Sequence, residues 1–269
     1  MIKLKNQYQG TGLAWYALVS YAPEMREQVY QWLDGHQCEP LYLTSPLESL
    51  LAQSPLLIAL KYGSDDSLMA RLPPERTLFF SAPATVDFQQ VSTQLRWRML
   101  VYFSGKLRGL LHYYHPQVAS CFFSAADQEV TSQWLGIFCS VVFLRQSLRE
   151  PACWTETGDF TSTPDMSVWH LHSSQEEALN RFYEEREVLA WAQANQTVPD
   201  WSVQIAVTRF CADWKIDQQL LIDRLRDLAD KTGQPLSLHQ YDPEKFARLT
   251  MDAKVSHIES MILREHQHD

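Results

Sequence analysis

Two small groups of residues carry side chains that do chemistry. His112 and His115 stand three apart ahead of Cys121, and His170-Leu171-His172 places two imidazoles on one face of a strand. An imidazole beside a thiol takes its proton and leaves a nucleophilic thiolate, so Cys121 with His112 and His115 is the candidate for a small Cys/His hydrolase. Paired imidazoles joined by a carboxylate hold a metal, but no third ligand stands at a telling distance from His170 and His172. No metal and no cofactor is therefore expected. His266 and His268 close the chain and read as tail. G-x-x-x-x-G-K, G-x-G-x-x-G, G-x-S-x-G and H-E-x-x-H do not occur, which removes the usual carriers of phosphate, dinucleotide, acyl-transfer and zinc-protease chemistry. No catalytic residue is assigned, and the chain is not expected to be an enzyme.

Rings are in more generous supply than reacting groups. Nine Trp, eleven Tyr and twelve Phe occur in 269 residues, and Trp, Tyr and Arg are the types that anchor protein interfaces as well as cores. They gather at Trp97-Arg98, His112-Tyr113-Tyr114 and Trp169-His170. The five cysteines, Cys38, Cys121, Cys139, Cys153 and Cys211, are odd in number, widely spaced and never C-x-x-C. That pattern opposes a disulfide framework and a zinc ribbon. Cys121, Cys139 and Cys211 lie in apolar surroundings and read as small buried hydrophobes.

Charge is uneven. Residues 1–150 hold twelve basic and twelve acidic side chains, residues 151–269 eleven and twenty, so the whole net charge of −9 belongs to the second part. An acidic surface repels phosphate backbones, and the one local basic cluster is Arg96, Arg98, Lys106 and Arg108. No nucleic-acid partner is expected. The longest nearly uncharged apolar run, Leu135 to Leu144, is half of the ~20 residues a membrane span needs. The polar opening Met1 to Gln7 lacks the apolar stretch of a secretory signal, so a cytoplasmic protein is expected.

The elements that would position these residues alternate. Strands are expected at Ala14–Val19, Leu56–Leu60, Thr77–Phe80 and Ile137–Leu144, with a short segment at Leu41–Leu43. Helices are expected to carry Met25, Val29, Trp32 and Leu33; Leu47, Leu50 and Leu51; Val86, Val91 and Leu95; and two stretches from His115-Pro116 and from Asp127. Met99–Phe103 and Gly109–Tyr114, joined through Ser104-Gly105-Lys106, read as a hairpin. Residues 1–150 thus read as an α/β domain with a mixed sheet and flanking helices, and the Thr-, Ser- and Pro-rich residues 151–172 as a connector. Residues 173–269 read as a small all-helical acidic lobe of four helices. Ser174 with Glu177 would make its first cap, Asp217 would cap the helix of Leu221, Leu225 and Leu228, and Gly233 and Pro235 would stop it. One last helix would run from Asp242-Pro243 through Met251, Val255, Ile258 and Ile262.

The order of segments carries a resemblance. Tyr16-Ala17-Leu18-Val19, then Pro40 to Pro46, then Ser54 to Leu60, resembles the opening of the type VI secretion effector-adaptor family. Leu95-Arg96-Trp97-Arg98-Met99-Leu100 is similar to that family's "HLRRLL" stretch, Leu111 to Val118 to its "FRFYDPRV" signature, and Leu135-Gly136-Ile137-Phe138 to its "FFGPI". The likeness covers about residues 14–145. His112, His115 and Gln117 stand where the signature has Arg, Asp and Arg, so its Arg–Asp pair is absent.

The resemblance implies a cytosolic chaperone that binds an effector toxin and loads it onto the VgrG spike. Partner-binding anchors are then expected at Tyr42, Trp97, Arg98, Tyr113 and Tyr114, and the helical lobe is expected to help grip the effector or the spike. Besides the hydrolase, an immunity-type protein that binds a toxin to neutralise it fits the same residues.

Overall fold

The computed structural model describes the chain except residues 1–3, 5–11, 24, 25, 34, 62–65, 105, 106, 147, 149, 150, 159, 160, 162, 164–166, 235, 237–241 and 266–269. Met25, the Gly105-Lys106 turn, Pro235, His266 and His268 therefore lie outside the described residues. The chain divides into two compact units, Met1–Leu179 and Asn180–Asp269.

In the first unit β1 (Leu13–Val19), β2 (Cys38–Pro40), β3 (Leu56–Ala59), β4 (Thr77–Pro83), β7 (Ser140–Arg145) and β8 (Cys153–Gly158) form one sheet in the order β2-β3-β1-β4-β7-β8. Every neighbouring pair in it is antiparallel. The hairpin strands β5 (Leu100–Tyr102) and β6 (Arg108–Leu110) make a separate two-stranded ribbon. A parallel bridge joins Tyr102 to His170. The helices are α1 (Arg26–Trp32), α2 (Asp66–Met69), α3 (Phe88–Trp97), α4 (Pro116–Ala125) and α5 (Gln128–Leu135). Leu41 to Leu43 is a turn, and residues 48–53 form a 3-10 helix.

The continuous apolar runs of β1 and β4 follow from burial on both faces. Trp15, Ala17, Val19, Ile58, Phe79 and Val142 cluster with Val29 and Leu33 around α1, and with Leu68 and Met69 of α2. On the other face Tyr16 meets Phe88 of α3 and Phe143 meets Phe123 of α4, at ring separations of 6.3 and 5.8 Å. Trp134 of α5 is wholly buried against Tyr113, Phe122 and Phe123. Asp87 starts α3 with a reciprocal cap: it accepts from Gln90 N–H while the Gln90 side chain accepts from Asp87 N–H.

The expected class, a sheet with flanking helices followed by a helical region, is present. Within the stretch read as connector, residues 153–158 instead supply the edge strand β8, paired with β7 from Ser140↔Gly158 to Arg145↔Cys153. Helix α6 (Ser173–Asn195) begins in the first unit. At its start Gln175, rather than Glu177, reaches back to accept from His172 N–H.

The second unit holds the rest of α6 with α7 (Trp201–Asp213), α8 (Gln219–Thr232), α9 (Pro243–Ala247) and α10 (Met251–Glu265). Val203, Val207 and Phe210 of α7 pack with Leu221, Leu225 and Leu228 of α8 and with Val255 and Ile258 of α10. The stripes of α8 and α10 are those expected from their spacing. Two details differ. Gln218, not Asp217, occupies the N-cap of α8 and makes no side-chain cap bond. The last helix is two, because the chain leaves α9 after Ala247 and restarts at Met251. Among the described residues no helix is long and apolar enough to cross a membrane.

Candidate functional site

The five expected anchors divide into four interior residues and one on the surface. Tyr42, Arg98, Tyr113 and Tyr114 are buried, whereas Trp97 keeps 40% of its surface exposed. Arg98 spends its guanidinium on main-chain carbonyls: Nε donates to Trp134 O at 2.7 Å, Nη1 to Ser167 O at 3.0 Å and Nη2 to Gln133 O at 3.0 Å. Its carbon centre lies 5.2 Å from the Trp169 ring. Two of these acceptors close α5, where exposed carbonyls and the helix dipole favour a cation. Tyr113 donates to Leu95 O at 2.8 Å. The hydroxyls of Tyr42 and Tyr114 are 2.6 Å apart, and Tyr114 is 2.7 Å from Nδ1 of His112. In this fold the rings and donors of these four are taken up by the chain itself.

Trp97 opens into a groove of about 320 Å³, lined by Thr44, Ser45, Pro46, Gln89, Thr93, Arg96, Trp97, Leu100 and Arg108. Gln89, Thr93 and Trp97 recur every four residues along α3 and form its floor. One wall is the turn after Tyr42. Ser45 ties it by donating to Tyr42 O at 2.7 Å and accepting from Leu47 N–H at 3.1 Å. Thr44 sits in the left-handed region at φ 57°, a sparsely populated conformation for a β-branched residue that the surrounding bonds hold. Arg96 fastens this wall to α3: Nε donates to Leu41 O at 2.9 Å, Nη1 to Ser92 Oγ at 3.2 Å, and Nη2 pairs with Glu39. Leu100 and Arg108 of the ribbon line the groove opposite.

Of the basic cluster, Arg96 and Arg108 reach the groove, Arg98 is interior and Lys106 lies outside the described residues. Thr44, Ser45, Gln89 and Thr93 were not foreseen as groove residues. For Gln89 and Thr93 the four-residue spacing that ends on Trp97 is the one signal.

The chemical candidates fall elsewhere. The rings of His112 and His115 are 5.9 Å apart, and Cys121 is half-buried in α4. His170 stacks on Tyr102 at 4.9 Å and His172 on Trp169 at 5.9 Å. Burial pushes the phenols of Tyr42, Tyr113 and Tyr114 up, so all three keep their protons at neutral pH.

Burial also lowers the pKa of His112, because the charged imidazolium loses water. With Nδ1 unprotonated, Tyr114 donates to His112 and Tyr42 donates to Tyr114. Protonation turns Nδ1 into a donor toward the Tyr114 oxygen, so one of the two phenol protons loses its acceptor in that chain. The unfolded chain then binds the extra proton more readily than the folded one. Stability is complete above the ordinary histidine value of about 6.5 and falls as pH drops from there toward the lower folded value. Between pH 7.5 and 5.5 the melting temperature should fall further for wild type than for His112→Gln, which keeps an acceptor and cannot titrate. Equal falls in the two proteins would refute this role.

The fold and groove thus define an antiparallel-sheet domain with a ring-and-arginine surface recess, followed by a helical unit. Residues 15–133, which contain the whole groove, match the family model described as a domain of unknown function, DUF4123. No curated protein and no solved structure matches the chain.

Proposed function

We propose that this protein is a cytosolic adaptor that holds a type VI secretion effector and loads it onto the VgrG spike, with the groove as one of its docking surfaces. The observation that carries this reading is Trp97. A large, half-exposed ring lies on the floor of a groove whose walls are already fastened by Ser45, Arg96, Tyr42 and Tyr114. A rigid recess loses little freedom when a partner enters it, and Trp is the residue type most often found to dominate such contacts. The resemblance through Leu95–Leu100 supports the same reading, since that stretch supplies Arg96, Trp97 and Leu100 of the groove. The acidic helical unit is assigned a share in gripping the effector or the spike.

The test is co-expression with a candidate effector toxin and a VgrG spike protein, followed by capture on the tagged adaptor. Wild type should retain both. Trp97→Ala should reduce retained toxin at least tenfold, the effect of an anchor worth more than about 1.4 kcal/mol, with an unchanged circular dichroism spectrum. Toxin retained without spike would mark a neutralising protein, and neither retained would sink the adaptor reading.

A further inference from the structure

The ribbon beside the groove has one edge occupied and one open. Leu111 N–H donates to Met99 O at 2.7 Å and Phe103 N–H to Leu107 O at 2.8 Å, so residues 99, 101 and 103 turn their backbone groups toward β6. In an antiparallel pair the residues between them turn theirs outward. For Tyr102 those outward groups are met: its N–H donates to Trp169 O and its carbonyl accepts from Leu171 N–H, each at 2.9 Å. For β6 the corresponding outward groups belong to Arg108 and Leu110. Among the described residues neither has a backbone partner. An edge of this kind is a template for another strand.

The side chains on the same face make that edge selective. Leu100↔Leu110 and Tyr102↔Arg108 are direct cross-strand pairs, so Leu100, Leu110, Tyr102 and Arg108 share one face of the ribbon, and Leu100 and Arg108 of that face line the groove. The charged residues among the groove's lining are both cationic, Arg96 and Arg108. Arg96 is already paired with Glu39, whereas Arg108 is exposed and has no ion pair among the described residues. Leu107, at the ribbon's tip, is 71% exposed.

We propose that the open edge of β6 receives an extended acidic segment of the effector as a third strand, with a carboxylate on Arg108 and an apolar side chain in the groove against Trp97. This rests on the adaptor reading above and names how the effector is held. Main-chain hydrogen bonds to Arg108 and Leu110 supply sequence-independent affinity, while alternate side chains of the added strand read the groove. The acid–Arg108 contact is a cross-strand charge pair.

The probe is a ten-residue synthetic peptide with Thr at every second position and Glu and Leu in turn at the others, so that carboxylates and apolar side chains fall on one face of the strand, titrated into the ¹⁵N-labelled full-length protein. Two controls accompany it: the same peptide with Lys for Glu, and one N-methylated at every second residue so that one edge cannot donate. The acidic peptide should shift the amides of Arg108 and Leu110 and the Trp97 indole. The Lys and N-methylated peptides should bind at least tenfold more weakly, and Arg108→Glu should reverse the charge preference. Unmoved Arg108 and Leu110 amides at millimolar peptide, equal binding of the N-methylated peptide, or an unreversed preference would each overturn strand addition. If wild type still retains the toxin in the capture experiment while these amides stay still, the docking mode falls and the adaptor reading stands.

Discussion

Replacing Arg98 with Met should cost the first unit about 3 kcal/mol or more, although no carboxylate is lost. Hydrogen bonds from charged donors are worth ~1.5–3 kcal/mol each, and removing the donor leaves its buried acceptors unpaired. Arg98 serves three such acceptors, on Gln133, Trp134 and Ser167. The desolvation of the guanidinium offsets part of that gain, which is why the expectation lies well below the sum of three bonds. Lysine keeps the charge but cannot span three divergent carbonyls, so Arg98→Lys should recover less than half of the loss. Hydrogen exchange locates the effect. Amides of α5 and of residues 167–171 should exchange roughly a hundredfold faster in Arg98→Met, since each factor of ten corresponds to about 1.4 kcal/mol. Exchange within tenfold of wild type would mean that the carbonyls find other partners and that Arg98 does not hold these segments together.

The contrast with Arg226 in the second unit sharpens the point. Arg226 is equally buried, yet beside one short bond, from Nη2 to Thr208 Oγ1 at 2.8 Å, its contacts to Gln204 are 3.4 Å long, Glu187 lies 3.8 Å away, and its Nε has no partner among the described residues. Burial lowers its pKa. A buried cation with one short bond, where Arg98 has three, should cost less to replace by an apolar residue. The two arginines look alike in the sequence and differ in what the fold aims at them.

That difference marks what could be read from the residues alone. Strands covered on both faces, such as β1 and β4, announce themselves as apolar runs, and the stripes of α7, α8 and α10 by their spacing. Strand β8 has the sequence CWTETG and a partly exposed face, so its polar composition concealed it until the register with β7 was known. The groove was half legible. Trp97 followed from its type and its neighbours, but Tyr42 and Tyr114, 72 residues apart, meet only through the tertiary fold. The carbonyls that claim Arg98 likewise come from segments 35 to 69 residues away. Aromatic and arginine content signals an anchor without saying whether the chain or a partner receives it.

Gly136 is where local conformation and packing coincide, and Gly136→Ala should be costly on both counts. The residue closes α5 at φ 60°, ψ −104°, a combination that side-chain-bearing residues avoid. A Cβ there would lie 2.7 Å from Nε2 of Gln94. Gln94 has no room to yield, being fully buried in α3, and neither atom of its amide has a hydrogen-bond partner among the described residues. Backbone strain of ~1–3 kcal/mol and overpacking of ~1–3 kcal/mol should together cost about 3–4 kcal/mol. Gly233 supplies the control, because it also has positive φ, at 65°, but nothing lies within 4 Å of its added Cβ. Gly233→Ala should cost only about 1–2 kcal/mol, the penalty of the left-handed backbone alone. Shortening the neighbour separates the two contributions further. In a Gln94→Ala background the added methyl at residue 136 should lose its packing penalty and retain its backbone penalty, so a double-mutant cycle should return a coupling of about 1–2 kcal/mol. Additive effects would show that Gln94 moves aside freely and that the backbone alone requires glycine at this turn.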